Sequence, residues 1–177
     1  RRSEVVAEDV QPPEGAHRDE ALSGLVDGAE VMRRLSGYER FQILNKTAAL
    51  MAERLEELAT LISREEGKVL AESRIEVQRA RETMELSAEE AKRITGEVLP
   101  LDGASTGKNK LGFTLRVPCG IVAAITPFNF PLNLVVHKVG PALAGGNAVI
   151  LKPASDTPLS ALKLVELLLE AGLPPQA

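Results

Sequence analysis

Aromatic residues are scarce in this chain: 177 residues hold no tryptophan, one tyrosine and four phenylalanines. With a formal net charge of −4 as well, it has neither the stacking platforms nor the basic face that nucleic-acid binding requires, and no nucleic-acid partner is expected. Arg33-Arg34 and Lys108 with Lys110 read as solvated charge. Cysteine is limited to Cys119, which excludes an internal disulfide and agrees with a reducing compartment. It sits between Pro118 and Gly120 with no histidine or acid close in sequence to activate it, so it reads as structural rather than as a nucleophile. His17 and His137 lack the spacing and company of metal ligands, and no metal is expected. No apolar run approaches membrane thickness, and Arg1-Arg2-Ser3-Glu4 lacks the hydrophobic segment of a secretory signal; the expectation is a soluble, cytoplasmic protein with no membrane partner. Also missing is a Gly-x-Gly-x-x-Gly loop, so any pyrophosphate must be held by some other helix N-terminus.

What remains is ample for a core, with 44% hydrophobic and 26% charged residues. Residues 1–18 are polar and carry at most a short strand near Val5-Val6. A helix is expected from Asp19 to Ser36, weakened by Gly24 and Gly28. From Tyr38 to about Glu66, apolar residues at Phe41, Leu44, Ala48, Met51, Leu55, Leu58 and Ile62 step by three and four, which predicts one long helix. A coiled-coil seam would show the same spacing, but a packed surface helix is the reading beside an α/β core. Lys68 to Thr95 predicts a further helix, charged along one side and stopped by Gly96. Val98–Leu101 and Leu111–Val117 read as two strands around a polar loop, Asp102 to Lys110, forming an arm that must pack on another domain or subunit.

The C-terminal third carries the chemistry. Ile121 to Ile125 is short and rich in β-branched residues and reads as a buried strand; a helix follows from Pro131 to Ala144, stopped by Gly145-Gly146. Ala148 to Leu151 is a second strand, and a second helix runs from about Pro158 to Ala171 before Gly172. This β-α-β-α order predicts a parallel crossover whose ligand crevice lies at the carboxyl ends of the strands. Two motifs fall there: Thr126-Pro127-Phe128-Asn129-Phe130-Pro131-Leu132 and Lys152-Pro153-Ala154-Ser155. The Asn129 amide is a neutral donor suited to a developing oxyanion. Taken alone, a cap for the helix beginning at Pro131 is the stronger reading, but a simple cap does not call for the rigid, bulky Pro127, Phe128, Phe130 and Pro131 on both sides. Lys152 stands where a dinucleotide fold reads the adenosine ribose, and a cation there tolerates a 2′-phosphate. With Ser155 nearby and Asp156 one step further, the coenzyme is NADP or NAD, leaning towards NADP; the bland alternative for Lys152 is a surface lysine at a strand end.

The chain resembles the NAD(P)-dependent aldehyde dehydrogenase superfamily from about Leu35 onward. The resemblance rests on Leu35-Ser36-Gly37-Tyr38-Glu39-Arg40, Glu66-Gly67-Lys68, Ile121 to Leu132, Lys138, Pro141 to Asn147, Lys152-Pro153, Thr157-Pro158 and Glu170 to Pro174. It implies oxidation of a small aldehyde to an acid through a thiohemiacetal on a cysteine, with hydride passing to the nicotinamide. It further implies Asn129 as the oxyanion-hole residue, Thr126, Pro127 and Phe128 beside the nicotinamide ribose, and Lys152 on the adenosine ribose. Ser155 stands where NAD-preferring members often carry Glu, which supports the NADP lean, whereas Val10 to Gly24 lacks the family's usual wording.

The implied fold is α/β, a partial Rossmann-like parallel sheet with N-terminal helices and a β-hairpin oligomerisation arm joining homodimers or homotetramers. The divisions are 1–96 for the helical part of the coenzyme-binding domain, 97–117 for the arm, and 118–177 for the start of the dinucleotide-binding unit. Because the chain does not begin with Met and ends on Pro174-Pro175-Gln176-Ala177, where a third strand is due, it reads as part of a longer protein. The catalytic cysteine, general-base glutamate and pyrophosphate-binding helix would lie beyond it, leaving this chain inactive alone. The competing readings are a non-catalytic nucleotide-binding or assembly module and an acyl-phosphate reductase.

Overall fold

The computed structural model describes residues 15–177, so the short strand expected near Val5-Val6 lies outside the described residues. The first helix, α1, spans Gly15–Arg34. Gly28, which weakens its helical propensity, is needed for contact: a Cβ there would stand 1.8 Å from the Gln176 carbonyl oxygen. Next comes α2, Gly37–Glu53, opened by a reciprocal cap in which the Ser36 hydroxyl accepts from the Glu39 amide (3.2 Å) and the Glu39 carboxylate accepts from the Ser36 amide (2.7 Å).

The single helix expected over Tyr38–Glu66 is two. Arg54 departs to φ −105°, ψ 24°, separating α2 from α3, Leu55–Glu66. Backbone bonds from Arg54 to Leu50 and from Leu58 to Arg54, each 3.0 Å, still span the joint, so the axis bends without unravelling. No Pro or Gly marks the bend; it lies where the Arg54 guanidinium reaches Glu170 at 2.6 Å. The three-four apolar stripe continues through it, with Leu44, Ala48, Met51, Leu58 and Ile62 all buried.

Helix α4 covers Leu70–Ala91, shorter at both ends than the expected Lys68–Thr95. Its last turn tightens, with the Lys92 amide bonding the Glu89 carbonyl, and the Lys92 ammonium sits 3.7 Å from the centroid of the Phe41 ring. Its buried face is Ser73, Glu76, Val77, Ala80, Met84, Ser87, Ala88 and Ala91; these mostly small side chains allow close packing against its neighbours.

The arm is thinner than expected. Its strands are β1, Val98–Leu99, and β2, Gly112–Phe113, antiparallel with Val98 opposite Phe113. Pro100 and a 3-10 turn over Leu101–Gly103 end β1 early, and Leu111 and Val117 are 80% and 78% exposed. A two-stranded ribbon with neither face covered gains no burial to extend its ladder.

The β-α-β-α unit forms as the sequence predicts: β3, Ile121–Ile125; α5, Asn133–Ala144; β4, Ala148–Lys152; α6, Leu159–Ala171. The strands are parallel, in register from Ile121 opposite Ala148 to Ile125 opposite Lys152. Reading β3 as fully buried needs correction. Ala124 is buried, while Ile121, Ala123 and Ile125 on the other face are exposed, because no described element covers that side. The start of α5 at Asn133 rather than Pro131 is a further correction. One core, running from Met32 of α1 to Leu173 and including all six helices of the described residues, joins the N-terminal helices to the parallel unit.

Candidate functional site

The two motifs meet where β3 and β4 end. The Thr126 amide donates to the Lys152 carbonyl at 3.2 Å, and the Thr157 hydroxyl donates to the Phe128 carbonyl at 3.3 Å. Both threonines are buried, so they act as ties between the two loops, while Pro127, Phe128, Asn129, Lys152 and Ser155 are exposed and Pro153 and Ala154 half-buried. Among the described residues the Lys152 ammonium has no ion pair or hydrogen bond. No carboxylate among the described residues pairs with it.

Asn129 does not cap α5. Helix α5 begins after Leu132 with no side-chain cap from its own strand-to-helix turn; the cap comes from α4. One oxygen of Glu76 accepts from the Leu132 amide (3.0 Å) and the Asn133 amide (3.1 Å), satisfying the donors that a helix start leaves unpaired. The other meets the Lys68 ammonium at 2.6 Å. The Asn129 side chain is thereby left without a hydrogen-bond partner among the described residues, at the rim of a cavity of about 380 Å³ lined also by Glu66, Lys68, Ile75, Arg79 and Phe130.

Lys68 is placed by Gly67, whose φ of 88° ends α3 in the left-handed conformation. The ammonium donates to the Asn129 carbonyl at 3.1 Å and lies 4.4 Å from the Phe130 ring centroid. Burial works against its charge, but the neighbouring carboxylates of Glu76, to which it donates, and then Glu66 outweigh that and hold its pKa above the ordinary lysine value. Glu66 stands 3.1 Å from it, though the facing oxygen makes no well-directed hydrogen bond. Neither Lys68 nor Glu76 emerges from sequence reasoning as a site residue. The available signal was a carboxylate in step with the apolar and small residues of α4.

A second carboxylate repeats the arrangement. Glu65 of α3 accepts from the Leu159 amide (2.7 Å) and the Ser160 amide (2.9 Å) at the start of α6. Both crossover helices therefore have their N-termini filled from within, and neither offers an anion site of the kind that usually holds pyrophosphate. This agrees with the missing glycine fingerprint.

Cys119 donates to the Asn147 side-chain oxygen at 3.1 Å, which also accepts the Gly120 amide at 3.0 Å, while the Asn147 amide donates to the Ala142 carbonyl at 3.0 Å. That bracket holds the entry to β3 against the end of α5. His137 is exposed on α5, and among the described residues no three His, Cys, Asp or Glu side chains gather as a metal site.

The family profile described as "Aldehyde dehydrogenase family" matches residues 3–177. The 3-sulfolactaldehyde dehydrogenase of Priestia aryabhattai is 51% identical over 160 residues, 90% of this chain and 34% of that protein. The crystal structure of aldehyde dehydrogenase 21 from Physcomitrella patens with its reaction product succinate superposes with a TM-score of 0.88 at 42% identity, over 91% of this chain and 34% of its own. The NADP-dependent glyceraldehyde-3-phosphate dehydrogenase of Bacillus halodurans C-125, complexed with NADP, gives 0.86 at 37% identity over 90% and 34%. The chain thus spans about a third of the length of each. A profile match across nearly every residue, on a fold whose strand ends carry both motifs, establishes that this chain belongs to the aldehyde dehydrogenase family.

Proposed function

We propose that the chain forms the N-terminal, coenzyme-side part of an enzyme that oxidises an anionic aldehyde to a carboxylic acid with NADP, accepting NAD less well. Residues 118–177 begin the dinucleotide-binding unit and residues 97–117 form the arm that joins subunits into a homodimer or homotetramer. The bound coenzyme supplies the hydride acceptor. Lys152 holds its adenosine ribose and 2′-phosphate, Pro153, Ala154 and Ser155 shape that corner, and Thr126, Pro127 and Phe128 line the nicotinamide ribose. Asn129 donates its side-chain N–H to the substrate oxygen as charge builds there, a preorganised donor that needs no proton transfer of its own. On this reading the 177 residues alone turn over no aldehyde.

The observation that carries the proposal is the exposed Asn129 side chain, unpartnered among the described residues, lining a cavity with Lys68 and Arg79, on the loop whose Thr126 amide is tied to the Lys152 carbonyl. The substrate class follows from the relatives named above, whose aldehydes or products bear sulfonate, carboxylate or phosphate. Arg79 on the cavity rim has no ion pair among the described residues and is the cation that would take such a tail; Glu72 shares the rim. Steady-state kinetics on the complete protein should show a kcat/KM for NADP above that for NAD. Arg79→Ala should raise KM for an acidic aldehyde about tenfold while leaving a neutral one unchanged, in line with about 1.5–3 kcal/mol for a charged hydrogen bond. Failure to oxidise any aldehyde with either coenzyme would refute the proposal.

A further inference from the structure

Resting on the reading of Asn129 as the oxyanion donor, we infer that Lys68 and Glu76 are positioning residues that fix where the Asn129 amide stands. One ion pair grips the turn from Asn129 to Asn133 at both ends. At its start the Lys68 ammonium holds the Asn129 carbonyl at 3.1 Å and packs on Phe130. At its end the Glu76 carboxylate holds the amides of Leu132 and Asn133 at 3.0 and 3.1 Å. The two charges meet at 2.6 Å, with the Glu76 side chain wholly buried and Lys68 only 10% exposed.

Stability alone does not ask for this. Desolvating such a pair is costly, and a well-packed apolar pair of similar volume commonly serves as well; a helix start needs only a short polar cap. The pair adds restraint from two directions on a single turn, donor to one end and acceptor to the other. A preorganised donor works only where charge develops, and a misplacement of about 1 Å costs on the order of a hundredfold in rate. Loosening the turn should therefore appear in turnover and leave coenzyme binding alone.

The test uses the complete enzyme carrying Lys68→Met, Lys68→Arg, Glu76→Gln, Asn129→Ala, or Lys68→Met together with Asn129→Ala. Lys68→Met is expected to lower kcat about 10- to 100-fold, with NADPH affinity, read from the fluorescence of its reduced nicotinamide, within about twofold of the parent. Lys68→Arg should recover most of the loss. In the Asn129→Ala background Lys68→Met should cost nothing further, because residues acting through one another are not additive. A fully additive loss in the double variant, or a Lys68→Met enzyme with parental kcat, overturns the inference. If Glu76→Gln does not fold, the Lys68 variants decide alone. An active parent with unaffected variants removes this inference only, whereas a parent inactive with every aldehyde removes the dehydrogenase reading and this inference with it.

Discussion

Ser155 lies three residues beyond Lys152, exposed in the turn that follows β4, with Asp156 immediately after. Introducing a carboxylate by Ser155→Glu should repel a 2′-phosphate and turn the kcat/KM ratio of NADP to NAD towards NAD by about tenfold, since a charge–charge term near a protein surface reaches a few kcal/mol. Lys68 makes a different prediction. Its folded pKa is raised by Glu76 and Glu66 against the pull of burial, so it contributes stability that is fully present below about pH 10.4, the unfolded lysine value, and is lost as pH climbs through the higher folded value. Denaturant midpoints measured from pH 8 to 12 should fall in the parent and fall less steeply in Lys68→Met. The placement of Asn129 and Lys152 where β3 and β4 end was legible because their motifs are contiguous and follow strand-like runs. The clamp on Asn129 was not: Lys68 and Glu76 reach residues more than fifty positions away, and no local pattern states which helix N-terminus a buried carboxylate will meet.

The crossover unit was legible element by element, because β-branched runs, a proline near a helix start and a left-handed Gly172 each dictate their own backbone. Elements whose bounds depend on packing were less so. The bend at Arg54 has no breaker in its sequence, and the arm strands shrink to two residues because nothing among the described residues covers them. If the arm joins subunits, placing a charge at its most exposed apolar position, Leu111→Asp, should shift the sedimentation profile of the complete protein towards smaller species while leaving the far-ultraviolet circular dichroism per residue unchanged. An unchanged profile would show that the arm does not hold the assembly.

At the scale of the molecule, the core runs without a break from α1 to the residues after α6, and a close seam beside it is Gly28 against the Gln176 backbone. Gly28→Ala must push the two apart. Overpacking of this kind costs about 1–3 kcal/mol, and calorimetry should show a Tm lowered by several degrees; an unaltered Tm would mean the C-terminal residues are free to lift away. The paired carboxylates of Glu65 and Glu76 carry a consequence for ligand competition. With the N-termini of both crossover helices already plugged by acid groups from α3 and α4, inorganic pyrophosphate finds neither helix end open, so it should displace a bound adenosine nucleotide poorly here, while a ribose bearing a 2′-phosphate should displace it well.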